Sequence, residues 1–514
     1  MMKTIRLYLY ICVGLLLALV VSCKKDLGNY DYTTVSTPVL DTTKVAANYS
    51  IERYANLVIE PKIRMNGIDT TSLSYKWIIY KQTVATGQAN IPREISSLRR
   101  LNVSIGDPIG LYYVELIVTD KKNEAKANIV FNLSVSAGME YGLLVLHTAG
   151  GSSDVDFLVT RNAVPITSVP EKRLRNLYFS ATGSRLAGDG RFISVSRRTS
   201  FTAIVTNWVT VGTSTQLQRV NGNDFSFLRD NGSLFLRPGT VINPQAHNLS
   251  DLSSYETLIN DGKMHITNAS DQLVASYSAA LTGDYYLAPF TVSGTSGSLI
   301  SVGYDEKNGR FIKPTSATAG TITDFRVPGN AGQPFNLTNI GKDMLGMDRG
   351  ISNYTLAFFK DKTGAGRWLY VINFNKSDDG LLGVGRYDMT NLPDISNALF
   401  YQANKSSNIC YYATASKVYL YDYTTQNTPA VGFQVPAGET ITCMKVYKPS
   451  PNFNLADADG RLLYVATWDG TQGRLYELSI NPTTAVINSN PLNRFDGFGK
   501  ITDISAKPRG AGNL

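Results

Sequence analysis

Histidine is scarce in this chain: His147, His247 and His265 are the only three in 514 residues. None stands at His-x-x-x-His spacing or beside a cysteine, so the common zinc patterns are missing. A nucleophilic triad built on one of them would lack a Gly-x-Ser-x-Gly elbow. Cysteine is almost as rare, with four residues, one of them inside the N-terminal apolar run. That excludes a disulfide-stapled scaffold. Cys410 and Cys443 lie in strand-like settings, where they could bridge adjacent strands or stay as buried thiols. Charged residues make up only 18%, and basic residues gather in nothing longer than doublets such as Arg99-Arg100 and Lys121-Lys122. No nucleic-acid partner is expected from such a surface. Amphipathic helical periodicity is also missing, which leaves no helix face to offer a partner.

What is abundant is tyrosine, with 29 residues, in a chain that is 43% hydrophobic. This composition excludes a disordered chain, a collagen-like repeat and a coiled coil, and favours short strands joined by polar turns. At 56.2 kDa the chain can bury one or two sizeable cores.

Residues 1–22 carry the marks of an export signal. Lys3 and Arg6 precede the apolar run Leu7–Val21, which is too short for a good membrane span. Leu19-Val20-Val21-Ser22-Cys23 resembles a bacterial lipobox, which makes Cys23 the expected site of lipid attachment. Cleavage there lowers the formal charge of +8 by two. Residues 23–37 are polar and aperiodic, a tether from the lipid to the first folded unit.

Residues 38–137 predict a β-sandwich of the immunoglobulin type. Leu73, Tyr75, Trp77 and Ile79 alternate onto one face of a strand, with Trp77 in the core. Gly110–Asp120 and Ala127–Val135 form the strongest β pattern. Residues 138–514 show short apolar strands punctuated by Asp230-Asn231-Gly232, Asn260-Asp261-Gly262, Lys307-Asn308-Gly309, Asp457-Ala458-Asp459-Gly460 and Asp469-Gly470. Asn-Gly and Asp-Gly tolerate the left-handed torsions of tight hairpins. So many short strands cannot lie in one open sheet. Degenerate repeats such as Arg461–Ala466 and Gly473–Leu478 predict an all-β chain: a sandwich followed by a seven- or eight-bladed β-propeller, with a second sandwich or a β-helix as the alternative.

Several segments together resemble the PKD-like family lipoproteins of Bacteroidota. They are Lys25–Tyr32 after Cys23, the Tyr75-Lys76-Trp77 strand, and Gly110–Val114 leading into Val118-Thr119-Asp120. Glu140–Leu146 continuing to Asp154–Leu158, and the closing Phe495–Ile504, complete the pattern. The resemblance implies a PKD-like sandwich in a lipid-anchored outer-membrane protein facing the cell exterior. It further implies an accessory of a SusC/SusD-type pair that imports oligosaccharides or peptides. No catalytic residues come with it.

The residues themselves offer little chemistry. A glycosidase needs two converging carboxylates, and most aspartates here stand in turns where the backbone favours them. Asp457-Ala458-Asp459-Gly460 and Ser377-Asp378-Asp379-Gly380 could supply oxygen ligands to a structural calcium, though neither has a twelve-residue loop with a closing Glu. No other cofactor or metal is expected. Trp208 and Trp468, both at strand ends, are the candidate ligand-stacking residues. The leading expectation is a non-enzymatic binding or scaffold lipoprotein. A propeller glycosidase or lyase, or an adhesion protein, are the alternatives.

Overall fold

The computed structural model describes residues 37–508 except 65–69, 85–86, 88, 137, 140, 168, 200–204, 238–239, 251–254, 269–275, 295–298, 317, 319, 329–331, 379, 450–454 and 456. Cys23 and most of the tether lie outside the described residues. The chain is almost entirely β and divides into two compact units.

The first unit reaches to Val135, with residues 107–109 grouped in the second. Its main sheet has the order Asn48–Glu52, Lys126–Ser136, Gly110–Asp120, Leu73–Lys81, Arg93–Ser96, the last four strands pairing antiparallel. The pairs Val39–Asp41 with Lys62–Arg64, and Asn56–Ile59 with Leu101–Ser104, supply the remaining strands. Alternation sends Leu73, Trp77 and Ile79 inward from one strand and Tyr112, Val114, Leu116 and Val118 from its neighbour. Trp77 is fully buried, stacks on Phe131 at 6.0 Å, and donates its indole N–H to the Leu98 carbonyl at 2.9 Å. A buried indole therefore keeps its polar edge satisfied.

Among the described residues, the second unit holds seven antiparallel sheets. Six follow one another along the chain. Sheet II holds Gly190–Thr199, Val205–Thr213, Leu217–Asn221 and Phe227–Arg229; sheet III holds Pro244–Leu249, Tyr255–Asn260 and Lys263–Asn268. Sheet IV holds Leu287–Val292, Val302–Asp305, Arg310–Pro314 and Ile322–Asp324; sheet V holds Lys342–Arg349, Thr355–Asp361, Arg367–Ile372 and Gly383–Asp388. Sheet VI holds Phe400–Ala403, Ile409–Ala413, Lys417–Asp422 and Ala430–Gln434; sheet VII holds Thr440–Val446, Leu462–Trp468, Gly473–Ser479 and Asn493–Phe498. Sheet I joins the two ends of the unit: Lys500–Lys507 pairs with Gly142–Ala149, which leads on to Ser152–Val159 and Lys172–Leu174. The leading strand of each sheet packs beside that of the next, and the strand Lys500–Lys507 packs beside those of both sheet VII and sheet II.

Hairpin chemistry sets these registers. Asn260 pairs with Lys263 across Asp261-Gly262, both with positive φ (52° and 67°), as a two-residue turn matched to strand twist requires. Trp468 pairs with Gly473 across the Asp469 turn, whose carboxylate accepts the Thr471 and Gln472 amides. One expected hairpin is different. Asp230-Asn231-Gly232 opens a one-turn helix, Asn231–Leu234, rather than a tight hairpin. Asp230 is its N-cap, accepting the Gly232 amide while Ser233 reaches back to the Asp230 amide. The same residue types that favour a tight turn also cap a helix.

Candidate functional site

Trp208 is only 5% exposed, and its indole N–H donates to Glu256 Oε1 at 2.6 Å. Glu256 is the centre of a buried cluster, taking Arg219 at 2.5 Å, Tyr277 Oη at 3.2 Å and His247 Nε2 at 3.3 Å. Burial opposes the Glu256 charge, but Arg219 and then His247 outweigh it and hold the carboxyl well below its usual range. Trp208 thus has no open face for a ligand; its work is to satisfy a buried carboxylate between sheets II and III. Trp468 is half-buried at the end of its strand in sheet VII.

Several of the aspartates considered for catalysis or calcium are engaged by the protein, while Asp457 is exposed. Asp156 takes His147 at 3.1 Å and Arg173 at 2.8 Å, and Asp305 takes Arg310 at 3.2 Å. Asp154 is fully buried, accepts the Tyr178 amide at 3.0 Å, and is shifted upward by burial. Asp459 pairs with Lys405 and Asp378 with Arg326; Asp379 lies outside the described residues. Among the described residues no group of three or more His, Cys, Asp or Glu gathers in a way that could hold a metal ion. Cys410 and Cys443 are free and buried, and burial raises the Cys443 thiol to about 12.

A cavity of about 250 Å³ lies in the second unit, where the leading strands of sheets V, VI, VII and I end. Asp348, Gln402, Lys445, Tyr447, Lys448, Tyr464 and Ser505 line it. These residues are far apart in the chain, and the strand ends bring them together. Lys445 Nζ meets Asp503 Oδ1 at 2.8 Å, and Asp503 Oδ2 accepts the Ile193 amide at 3.0 Å. Lys448 Nζ meets Asp348 Oδ2 at 2.5 Å and the Arg349 carbonyl at 2.6 Å. Asp348 also accepts the Ala403 amide at 2.7 Å and the Arg349 amide at 2.8 Å. Gln402 Oε1 accepts the Val446 amide at 3.0 Å. The cavity wall is therefore a set of polar ties between sheets.

The two lysines differ in setting. Burial works against the charge of Lys445, yet Asp503 outweighs it and holds the ammonium above its ordinary value. Its side chain keeps 42% of its surface accessible, so it is ringed by protein but open to the cavity. Burial outweighs Asp348 at Lys448, which is shifted downward and only 17% accessible. Tyr447 is 3% exposed, its hydroxyl has no partner, and burial raises it. Tyr464 donates to Glu477 at 2.7 Å; Thr160, Asn162 and Asn493 complete that carboxylate's shell. Trp468 stands four residues along the strand from Tyr464, about 13 Å at strand rise, so it is not part of this cavity. None of the lining residues carries a motif, and no sequence spacing pointed to them.

Residues 23–189 match the model of the PKD-like family, so a PKD-like N-terminal region is present. The match runs past the sandwich and through the first strands of the second unit. No curated protein matches the chain. Among solved structures, a quinonprotein alcohol dehydrogenase-like protein from Bacteroides thetaiotaomicron is similar over 92% of this chain and 99% of its own, with a TM-score of 0.51 and 13% identity. At that identity the likeness is one of fold. Dihydro-heme d1 dehydrogenase NirN, in complex with DHE, covers 76% of this chain and 72% of its own at 12% identity and TM-score 0.39. Hsv2p of Kluyveromyces lactis covers 68% and 94% at 10% identity and TM-score 0.38. Among the described residues, no helix is long and apolar enough to cross a membrane.

Proposed function

We propose that the second unit is a seven-bladed β-propeller and that the chain is a non-enzymatic, lipid-anchored binding or scaffold protein. Its place is on the outer face of the outer membrane, held by Cys23. There it serves as an accessory subunit of a SusC/SusD-type complex importing oligosaccharides or peptides. The cyclic packing of seven leading strands, with the last strand of the chain paired to the first strand of the unit, supports the propeller. The binding role rests on the cavity at those strand ends. Asp348, the carboxylate that lines it, is already engaged by Lys448 and two backbone amides. Such a wall offers contacts to a ligand without a free acid–base pair. The membrane anchor and the transporter context come from the sequence resemblance.

The test is a mild-detergent pull-down of the tagged protein from its native membrane, with surface proteolysis of intact cells. Stoichiometric recovery of a barrel transporter and its lid supports the proposal. A protein recovered alone and shielded from external protease overturns it. A second reading, an enzyme on the same scaffold acting on glycans or on a related hydroxyl substrate, draws on the name of the Bacteroides thetaiotaomicron protein. Turnover of a sugar panel that Asp348→Asn abolishes would establish that reading instead.

A further inference from the structure

The solvent-facing side of the first unit's main sheet departs from the pattern of a sandwich, where that side is ordinarily polar. Cross-strand register places three rows on it: Tyr80, Tyr113 and Asn132; Ile78, Glu115 and Val130; Lys76, Ile117 and Asn128. Their neighbours along the strands, among them Trp77, Ile79, Val114 and Phe131, turn the other way into the core. Apolar and aromatic side chains thus stand on the outside of the sheet. Val130 is 44% exposed, and Leu111, two residues from Tyr113 on the same strand, is 58% exposed. Tyr80 and Tyr113 lie side by side with ring centroids 5.6 Å apart.

The polar groups between these rings are amides more than charges. Glu115 accepts the Tyr80 hydroxyl at 3.2 Å and the Asn128 amide at 2.7 Å. Asn132 accepts the Gln82 amide at 3.1 Å and donates to Asn48 at 2.7 Å. In the three rows only Glu115 and Lys76 are charged, one of each sign, and Lys76 lies 3.6 Å from Glu94. That combination selects the occupant. Rows without net charge give an anion or a nucleic acid no electrostatic hold. An apolar helix laid across them would bury Glu115 and four amides against groups that cannot bond them. A neutral sugar matches both halves, with C–H faces to stack on tyrosine rings and hydroxyls that donate and accept. The rows extend about 13 Å along the strands and about 10 Å across them at ordinary strand spacings, more than one sugar ring covers.

We propose that this face of the first unit binds a neutral oligosaccharide, with Tyr80 and Tyr113 as stacking residues and Gln82, Asn128 and Asn132 as hydrogen-bonding partners. The inference goes beyond the binding role given to the cavity of the second unit. It adds a second contact surface and favours oligosaccharide over peptide as the imported nutrient.

Isothermal titration of the full-length protein in mild detergent tests this with maltohexaose, cellohexaose, laminarihexaose, mannohexaose and xylohexaose. At least one should bind, and the acidic hexagalacturonate should not displace it. Tyr113→Ala should weaken that sugar at least tenfold, while Tyr113→Phe, which keeps the ring, stays within severalfold of the wild type. Val130→Lys, at an exposed position that the core does not use, should also weaken it at least tenfold. Failure of every neutral probe overturns the assignment, and the pull-down still decides the uptake role independently. Wild-type affinity in both Tyr113→Ala and Val130→Lys, each folded by circular dichroism, places the sugar elsewhere and overturns it too. Loss of the transporter pair from the pull-down in Tyr113→Ala, without sugar binding by the wild type, would make the face a protein interface instead. If Tyr113→Ala does not fold, Val130→Lys carries the decision.

Discussion

Glu256 shows how one buried carboxylate can set the pH response of a sheet interface. Its folded pKa is depressed, because Arg219, His247 and Ser196 stabilise the anion more than burial penalises it. A depressed carboxylate gives stability that is fully present above its unfolded value of about 4.3 and is lost as pH falls toward the folded value. Glu256→Gln should therefore cost about 3–5 kcal/mol at pH 7, since Arg219 is left buried without its anion. Urea melts should show that gap narrowing below about pH 4. Tyr447 gives the opposite sign. Its buried hydroxyl has no partner in the protein, so Tyr447→Phe removes a desolvation cost of about 1–3 kcal/mol. The urea midpoint should hold or rise. Cys410 and Cys443 complete the residue scale, as burial raises both thiols. Maleimide labelling followed by peptide mapping should leave both unmodified in the native protein and modify both in denaturant.

Strands and turns were the most legible elements, because the signals that specify them are local. The period-two pattern over Leu73–Ile79 places Trp77 in the core without reference to anything distant, and Asp261-Gly262 sets its own hairpin. The helix at Asn231–Leu234 was missed because Asp-Asn-Gly serves a turn and an N-cap equally well, and only the following chain decides. Trp208 looked like a strand-end platform because its partner, Glu256, is 48 residues away. The cavity was illegible for the same reason: Asp348 and Lys448 meet across 100 residues, and Lys445 and Asp503 across 58. Close backbone approach has the same long reach. A Cβ on Gly473, the first residue of its strand, would lie 1.9 Å from the Gly499 carbonyl oxygen. The obstacle is backbone rather than a flexible side chain, so Gly473→Ala should cost about 1–3 kcal/mol or more in urea denaturation. Ala in place of Gly150, which has open space around it but a positive φ of 60°, should cost about 1 kcal/mol.

At the scale of the molecule, the second unit depends on a pairing that joins its ends. Lys500–Lys507 lies along Gly142–Ala149 from Gly142 opposite Lys507 to Thr148 opposite Lys500, interrupted by one bulge at Leu146/His147. Ile501 and Ile504 of that strand are buried in the same core as Leu143, Val145 and Phe157. Asp503 ties the strand to Lys445 in sheet VII and to the Ile193 amide in sheet II. Removing residues 500–514 would strip the edge from Gly142–Ala149 and leave Ile193 and Lys445 without their shared carboxylate. Two buried isoleucines alone represent about 3–6 kcal/mol of burial, against a typical domain stability of about 5–15 kcal/mol. The first unit has its own core around Trp77. The truncated protein should accordingly lose the cooperative transition of the second unit. Limited proteolysis should still leave a protected fragment spanning Val39–Val135, identified by mass spectrometry. Cooperative unfolding of both units in the truncated chain would mean that sheet I holds without its edge strand, and that the joining of the ends is dispensable.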